Sequence, residues 1–275
     1  MIAAYPLVDT HAHPMDPDLN SDLPALLERA REAGVGAIVC VGYDLATSAA
    51  AVDLAQREAM CFAAVGIHPN HVHETKEVDL KIVEQLATAP KVVAIGETGL
   101  DYFREFSDAS EQRDWFGAHL DIAKRMTLPV IVHNRNADDD TLQILEAWVG
   151  SEPPDVPVGV LHCFSGDLPL MHRAARASLL ISFAGPVTFK NARALPEVAR
   201  AVNSSSYLIE TDSPYLAPQP FRGTRNEPAR VSIIAERLAA LREVHIDQIA
   251  EESSRNAVRL FPAIAMSLPG LGSAL

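Results

Sequence analysis

The chain has 275 residues, is 48% hydrophobic and carries a formal net charge of -13. That is enough apolar material for one substantial core, and single barrels of alternating strands and helices commonly run to about 250 residues. The acidic balance argues against tight binding to long nucleic-acid duplexes, because long-range attraction to phosphates calls for a basic face.

Short apolar runs bounded by polar or turn residues recur along the chain at 5–8, 37–41, 61–67, 92–95, 129–132, 158–161, 179–183 and 207–209. They are rich in Val and Ile and do not alternate strictly, as expected of parallel strands buried on both faces. Helical spacing occupies the intervals 22–31, 46–58, 76–86, 110–125, 138–148 and 170–177. Leu23, Leu26 and Leu27, or Leu142, Leu145 and Trp148, give such segments one buried face. The 191–202 crossover carries Pro196, which permits a helix only if the proline sits in its first turn. After the last strand, 227–242 and 247–260 read as closing helices, and the tail 261–275 is left to pack or to be disordered. The Pro-rich segment from Ser151 reads as a surface loop.

Eight strands alternating with helices predict an α/β fold, a (β/α)8 TIM barrel, in one domain spanning 1–275. A doubly wound open sheet is the alternative. No run is long and apolar enough to span a membrane, and no secretory signal opens the chain, so a cytoplasmic protein is expected. Cys40, Cys61 and Cys163 form no CxxC pair and read as reduced thiols. Cys163 is set aside as a nucleophile beside His162, since adjacent strand residues point to opposite faces.

Barrel active sites form where the βα loops meet at the C-terminal ends of the strands. His11 and His13 follow the first strand, His68 the third, Glu97 the fourth, His133 the fifth, His162 the sixth and Asp212 the eighth. One such residue alone is more often a cap or a solvated loop group. Together at one rim they point to a metal site built from His11, His13, Glu97, His133, His162 and Asp212, with His68 beside it. His71, His73, His119, His172 and His245 fall in loops or helices and read as structural or solvated.

The segments Asp9-Thr-His-Ala-His13, Gly66-Ile-His-Pro69, Gly96-Glu-Thr-Gly-Leu-Asp-Tyr102, His133-Asn-Arg135, His162-Cys-Phe-Ser-Gly166 and Glu210-Thr-Asp-Ser-Pro-Tyr-Leu216 occur in that order, followed by Arg222-Gly-Thr-Arg-Asn-Glu-Pro228. This ordered set resembles the TatD family of metal-dependent deoxyribonucleases, within the amidohydrolase-like barrels. Three positions depart from the family pattern. Asp16 comes one place late after the histidine pair, Asn136 stands where an acid is common, and Thr224 replaces a frequent lysine.

The resemblance implies that His11, His13, Glu97 and Asp212 hold one metal, and that a bridging Glu97 holds a second with His133 and His162. The cofactors expected are two divalent ions (Mg, Mn or Zn), which can activate water and stabilise both oxygens of an in-line displacement. Asp212 is then the residue expected to orient or deprotonate that water, and His68 to contact the scissile phosphate or protonate the leaving group. The partner implied is a DNA 3′ end, single-stranded, with RNA also in range, giving a 5′ mononucleotide.

Arg135 and Arg222 are the expected substrate-binding cations, with Arg225 and Lys190 nearby in sequence position. Phe103, Phe164, Phe189, Tyr215 and Phe221 occupy rim loops where bases stack. Two further readings stay open: a metal-dependent ester or amide hydrolase such as a D-aminoacyl-tRNA deacylase, and a non-catalytic metal-binding protein.

Overall fold

The computed structural model describes residues 3–104 and 106–268. Eight strands form one sheet in sequence order: β1 (Leu7–Ala12), β2 (Val35–Val41), β3 (Cys61–Val65), β4 (Val92–Asp101), β5 (Val130–Arg135), β6 (Gly159–Leu161), β7 (Leu179–Phe183) and β8 (Tyr207–Ile209). Successive strands are parallel throughout. The ring closes between β8 and β1 through polar contacts at the rim. The Asp212 N–H donates to His11 O (2.9 Å) and the His13 N–H to Ser213 O (2.8 Å). Below them the Thr10 hydroxyl donates to Ile209 O (3.0 Å). The fold is therefore the (β/α)8 barrel that the strand count predicts.

Helices α1 (Pro17–Asn20), α2 (Leu23–Glu32), α3 (Leu45–Arg57), α4 (Glu77–Ala87), α5 (Ala109–Met126), α6 (Asp138–Val149), α7 (Leu168–Arg176) and α8 (Leu195–Ala201) lie in the connections. Their start signals are local. Asp44 caps α3 by accepting the Thr47 N–H (2.7 Å) while the Thr47 hydroxyl accepts the Asp44 N–H (3.0 Å), a reciprocal pair that satisfies two otherwise orphaned donors. Pro196 does sit in the first turn of α8, where its missing N–H costs nothing. Helices α9 (Val231–Arg242) and α10 (Ile246–Leu260) complete the shell.

The N-terminal end of the barrel is apolar and closed. Val8, Ala37, Phe62, Ile131, Val160 and Leu208 form an interior cluster, against which Phe261, Ile264 and Leu268 pack from below. The described part of the tail thus packs, as a 3-10 turn over Pro262–Ser267. Gly36 makes this possible, because a Cβ there would meet Leu268 Cδ2 at 2.7 Å and Pro6 Cβ at 2.8 Å.

Two strands outrun the apolar segments that announce them. β1 continues through His11 to Ala12, and β4 continues through Glu97 to Asp101, with Thr98, Gly99, Leu100 and Asp101 in register with Val132, His133, Asn134 and Arg135. Near the rim the barrel interior is polar, so hydrophobicity stops before the strand does. Among the described residues no helix is long and apolar enough to cross a membrane.

Candidate metal centre

Strand alternation carries the interior cluster up to the rim. Two residues beyond Ile131 on β5 stands His133, and two beyond Val160 on β6 stands His162. Beyond Leu208 the same step gives Glu210, whereas Asp212 lies past the end of β8 with φ 55° and is placed by its N–H on His11 O. Glu97 is held by its own N–H, which donates to Gly42 O (2.9 Å) after β2. His11, His13, His68, Glu97 and His162 are buried, while His133 and Asp212 are half-buried.

Glu97 lies between two groups of ligand atoms. Its Oε2 faces His11 Nε2 at 3.4 Å, and His11 Nε2 lies 3.3 Å from His13 Nε2, which is 3.4 Å from Asp212 Oδ1. Its Oε1 faces His162 Nε2 at 2.8 Å, His133 Nδ1 at 3.0 Å and His68 Nε2 at 3.4 Å. The structure thus brings all seven rim residues together.

Outer hydrogen bonds decide which of these nitrogens offer a lone pair, since a neutral imidazole has one donor and one acceptor. His13 Nδ1–H donates to Val41 O (2.7 Å), leaving Nε2 as acceptor. His133 Nε2–H donates to Asp101 Oδ2 (3.1 Å), leaving Nδ1. His162 Nδ1 lies 3.4 Å from Glu210 Oε1, which favours a proton there and a lone pair on Nε2. His68 is the opposite case. Its Nδ1 accepts the Asn70 N–H (3.0 Å), so Nε2 carries the proton and points an N–H, not a lone pair, toward Glu97. His68 groups with Glu97 and His133 by distance alone. Its tautomer makes it a hydrogen-bond donor to whatever sits in the site.

Imidazole lone pairs and carboxylate oxygens facing one another at these distances repel unless positive charge lies between them. The donor set of nitrogen and oxygen atoms fits divalent cations. Proton affinities express the same demand. Burial pushes His13, His133 and His162 down, yet their partners together outweigh it and all three are raised: Asp212 with Glu97 and Val41 O for His13, Asp101 with Glu97 for His133, and Glu97 with Glu210 for His162. Glu97, pushed up by burial, is taken well below its ordinary range by His162, His68 and His11. Asp101 is likewise pushed up by burial and brought to about 2 by His133 and by the N–H groups of Arg104 and Phe103. His68 is lowered by burial and by His133, which keeps it neutral.

Two cavities adjoin the cluster. One, of about 450 Å³, is lined by Tyr43, His68, Asn70, His71 and Asp101; the other, of about 420 Å³, by Asn134, Cys163, Ser165, Pro186 and Leu216. They share a wall of Arg104, His133, Arg135, His162, Asp212 and Tyr215. A larger cleft of about 1110 Å³ lies between α4 and α5, lined by acids such as Glu77, Glu84 and Asp121 and by no histidine. Convergent ligand atoms, not volume, locate the chemistry.

The outlying expectations divide. Arg135 lines both cavities, its guanidinium 3.9 Å over the Phe103 ring. Arg222 lines neither and stacks on Phe189 at 4.2 Å. Arg225 is engaged with Asp18 O and Asp22, and Lys190 is exposed away from both cavities. Phe164 is buried, and Phe103, Phe189 and Phe221 each already carry a guanidinium, which leaves Tyr215 as the open ring of that set. Cys163 lies past the end of β6 with φ 44°, so strand alternation does not govern it; it lines the second cavity, and burial raises its thiol well above the usual range.

Each departure from the family pattern has a local explanation. Asp16 caps α1 through the Asp18 N–H (2.9 Å) and accepts the Tyr215 hydroxyl (3.3 Å). Asn136 adopts φ 55°, a conformation Asn tolerates better than most residues. The Thr224 hydroxyl donates to Phe221 O (2.7 Å).

The family profile described as TatD related DNase matches residues 8–262. The chain belongs to this TatD family. Its relatives include a Bacillus subtilis (strain 168) protein named uncharacterized metal-dependent hydrolase YabD, 40% identical and covering 93% of this chain and 98% of that one. Another, from Erwinia tasmaniensis, is named 3'-5' ssDNA/RNA exonuclease TatD and is 34% identical over 87% of this chain and 93% of its own. The crystal structure of YJJV, a TatD homolog from Escherichia coli K12, superposes with a TM-score of 0.87 at 31% identity, covering 93% and 98% of the two chains. This chain is accordingly a TatD-family metal-dependent hydrolase.

Sequence reasoning missed Tyr43, Asn70, Asp101, Arg104 and Glu210 as parts of this TatD site. Two of them had a signal: Asp101 lies four residues beyond Glu97 on β4, and Glu210 lies two before Asp212, both in step with a ligand. Tyr43 lies two residues past the end of β2, at the rim where loops supply function.

Proposed function

We propose that this chain is a 3′-to-5′ exonuclease that removes nucleotides from single-stranded DNA, and from RNA, in one domain spanning 1–275 and with two divalent cations (Mg, Mn or Zn). The observation that carries this reading is Glu97, whose two oxygens face two separate sets of ligand atoms. In this reading His11, His13, Asp212 and Glu97 hold one cation, and Glu97, His133 and His162 the other. When bound, the pair supplies Lewis acidity that activates water and stabilises the attacking and leaving oxygens.

The chain's own groups divide the remaining work. Asp212, with Oδ1 toward His13, lines both cavities and accepts the proton of the attacking water. His68 presents its Nε2–H to the phosphate or the leaving 3′-oxygen. Arg104 and Arg135 give the mouth positive charge within an acidic molecule, which suits a strand terminus better than continuous duplex. The exonuclease name of the Erwinia relative supports the same substrate class. Free thiols at Cys40 and Cys61, buried on neighbouring strands, support a reducing, cytoplasmic setting.

Comparing strands labelled at the 3′ end with strands labelled at the 5′ end tests the proposal. Immediate release of labelled mononucleotide from the 3′ end alone is expected. Release from the 5′ end first, or cleavage of an ester of D-aminoacyl-tRNA with no nucleotide release, would replace it.

A further inference from the structure

The two cavities share a wall of the ligands His133, His162 and Asp212 with Arg104, Arg135 and Tyr215, and their outer walls differ in kind. The first is polar and aromatic. Tyr43 stacks on His71 with ring centroids 5.4 Å apart, and His68 points its N–H into it. The second is bounded by Pro186, Leu216, Cys163 and Ser165, with no aromatic ring of its own apart from the shared Tyr215 and the two shared histidines.

This second cavity is a built feature of the loops after β7 and β8. A Cβ on Gly185 would strike Leu216 O, so only glycine lets the two loops pass that closely. Tyr215 stands between the cavities with its hydroxyl on Asp16 Oδ2 (3.3 Å). Each cavity falls within the range of about 300–1,000 Å³ usual for small-ligand sites.

Resting on the exonuclease reading, we propose that the cavities are successive nucleoside sites. The one beside Pro186 and Leu216 takes the 3′-terminal nucleoside, the one beside Tyr43 and His71 takes the penultimate nucleoside, and the scissile phosphate lies over the shared wall between Arg104 and Arg135.

The direction follows from the bond that breaks. Water adds to phosphorus and gives a proton to Asp212, and the bond from phosphorus to the penultimate 3′-oxygen breaks. That oxygen takes a proton from solvent while the neutral His68 ring hydrogen-bonds it through Nε2–H, and the terminal nucleoside leaves as its 5′-phosphate. In this proposal His68 gives its N–H to the leaving oxygen rather than to the phosphate, and it lines the first cavity and not the second. The leaving oxygen, and with it the penultimate nucleoside, therefore belongs in the first. Tyr43 then stacks on the penultimate base, and the terminal base sits among Pro186, Leu216, Cys163 and Ser165.

Calorimetry on the metal-loaded protein tests this with two probes, thymidine 5′-phosphate for the second cavity and thymidine 3′-phosphate for the first. Ser165→Trp, which fills the second cavity, is expected to weaken the 5′-phosphate about tenfold or more and leave the 3′-phosphate within about twofold. Tyr43→Ala is expected to do the reverse, and it decides the matter alone if Ser165→Trp does not fold. Equal losses on both probes, a reversed pattern, or no binding of either probe to the unaltered protein would overturn the proposal. A crossed pattern in a protein that releases no nucleotide from any strand would uphold the two nucleoside sites and remove the exonuclease reading instead.

Discussion

The floor and the rim of this barrel are built by the same strands and have opposite economies. Ile131, Val160 and Leu208 face an apolar interior closed by Phe261, Ile264 and Leu268, whereas His133, His162 and Glu210, one alternation further on, face one another. Burial at the floor stabilises the chain, by about 1.5–3 kcal/mol for each large side chain removed from water. Burial at the rim costs stability, because charges taken from water are repaid only by close partners. Floor and rim are thus separable by mutation: one sets whether the chain folds, the other what it binds.

The largest expected effect that separates them is at the floor. Phe261→Ala should destabilise the protein by about 3–5 kcal/mol in denaturant titration and leave metal affinity at its original value. A parallel loss of metal affinity would show the two regions to be coupled.

At the rim, Asp101→Ala frees the His133 ring to turn its Nδ1 away from Glu97. Metal affinity should fall about 10–100-fold with little change in unfolding midpoint. Asp101→Asn should recover only part of it, because Oδ2 accepts the His133 Nε2–H while Oδ1 accepts the Phe103 and Arg104 N–H groups, and an amide has one oxygen for both tasks. An unchanged affinity in Asp101→Ala would mean that packing alone orients His133.

Apart from both regions, His119 is buried on α5, accepting the Ile67 N–H at Nε2 (3.1 Å) and facing Trp115 O from Nδ1 (2.8 Å). Burial lowers its pKa from 6.5 to about 4. The folded state therefore prefers the neutral ring, so its contribution is full above pH 6.5 and is lost as pH falls toward 4. Stability should drop by about 2 kcal/mol between pH 7 and pH 5 from this group, and His119→Gln should flatten that slope. An equally steep slope in the variant would assign the acid sensitivity to other groups.

The same contrast explains what could be read in the sequence. Floor residues announce themselves, since apolar runs such as Ala37 to Val41 in β2 and Cys61 to Val65 in β3 mark their own strands. At the rim the signal inverts. β4 was legible to Ile95 and not to Asp101 because a polar interior resembles a loop in composition. The ligands themselves were legible from their position at strand ends, but their tautomers were not. That His68 offers an N–H depends on the backbone of Asn70 in a 3-10 turn, a contact with no trace in residue type. Arg222 failed to reach a cavity for a related reason: chain position placed it near the rim, but the side chain settled on Phe189.

The most direct test of the account is metal content and nucleotide release measured together, on metal-stripped protein reloaded with Mg, Mn or Zn, beside Glu97→Ala. The account predicts two ions per chain and metal-dependent release from the 3′ end. In Glu97→Ala it predicts loss of metal and a fall in turnover of about a thousandfold or more. A Glu97→Ala protein that keeps both ions and its turnover would contradict it.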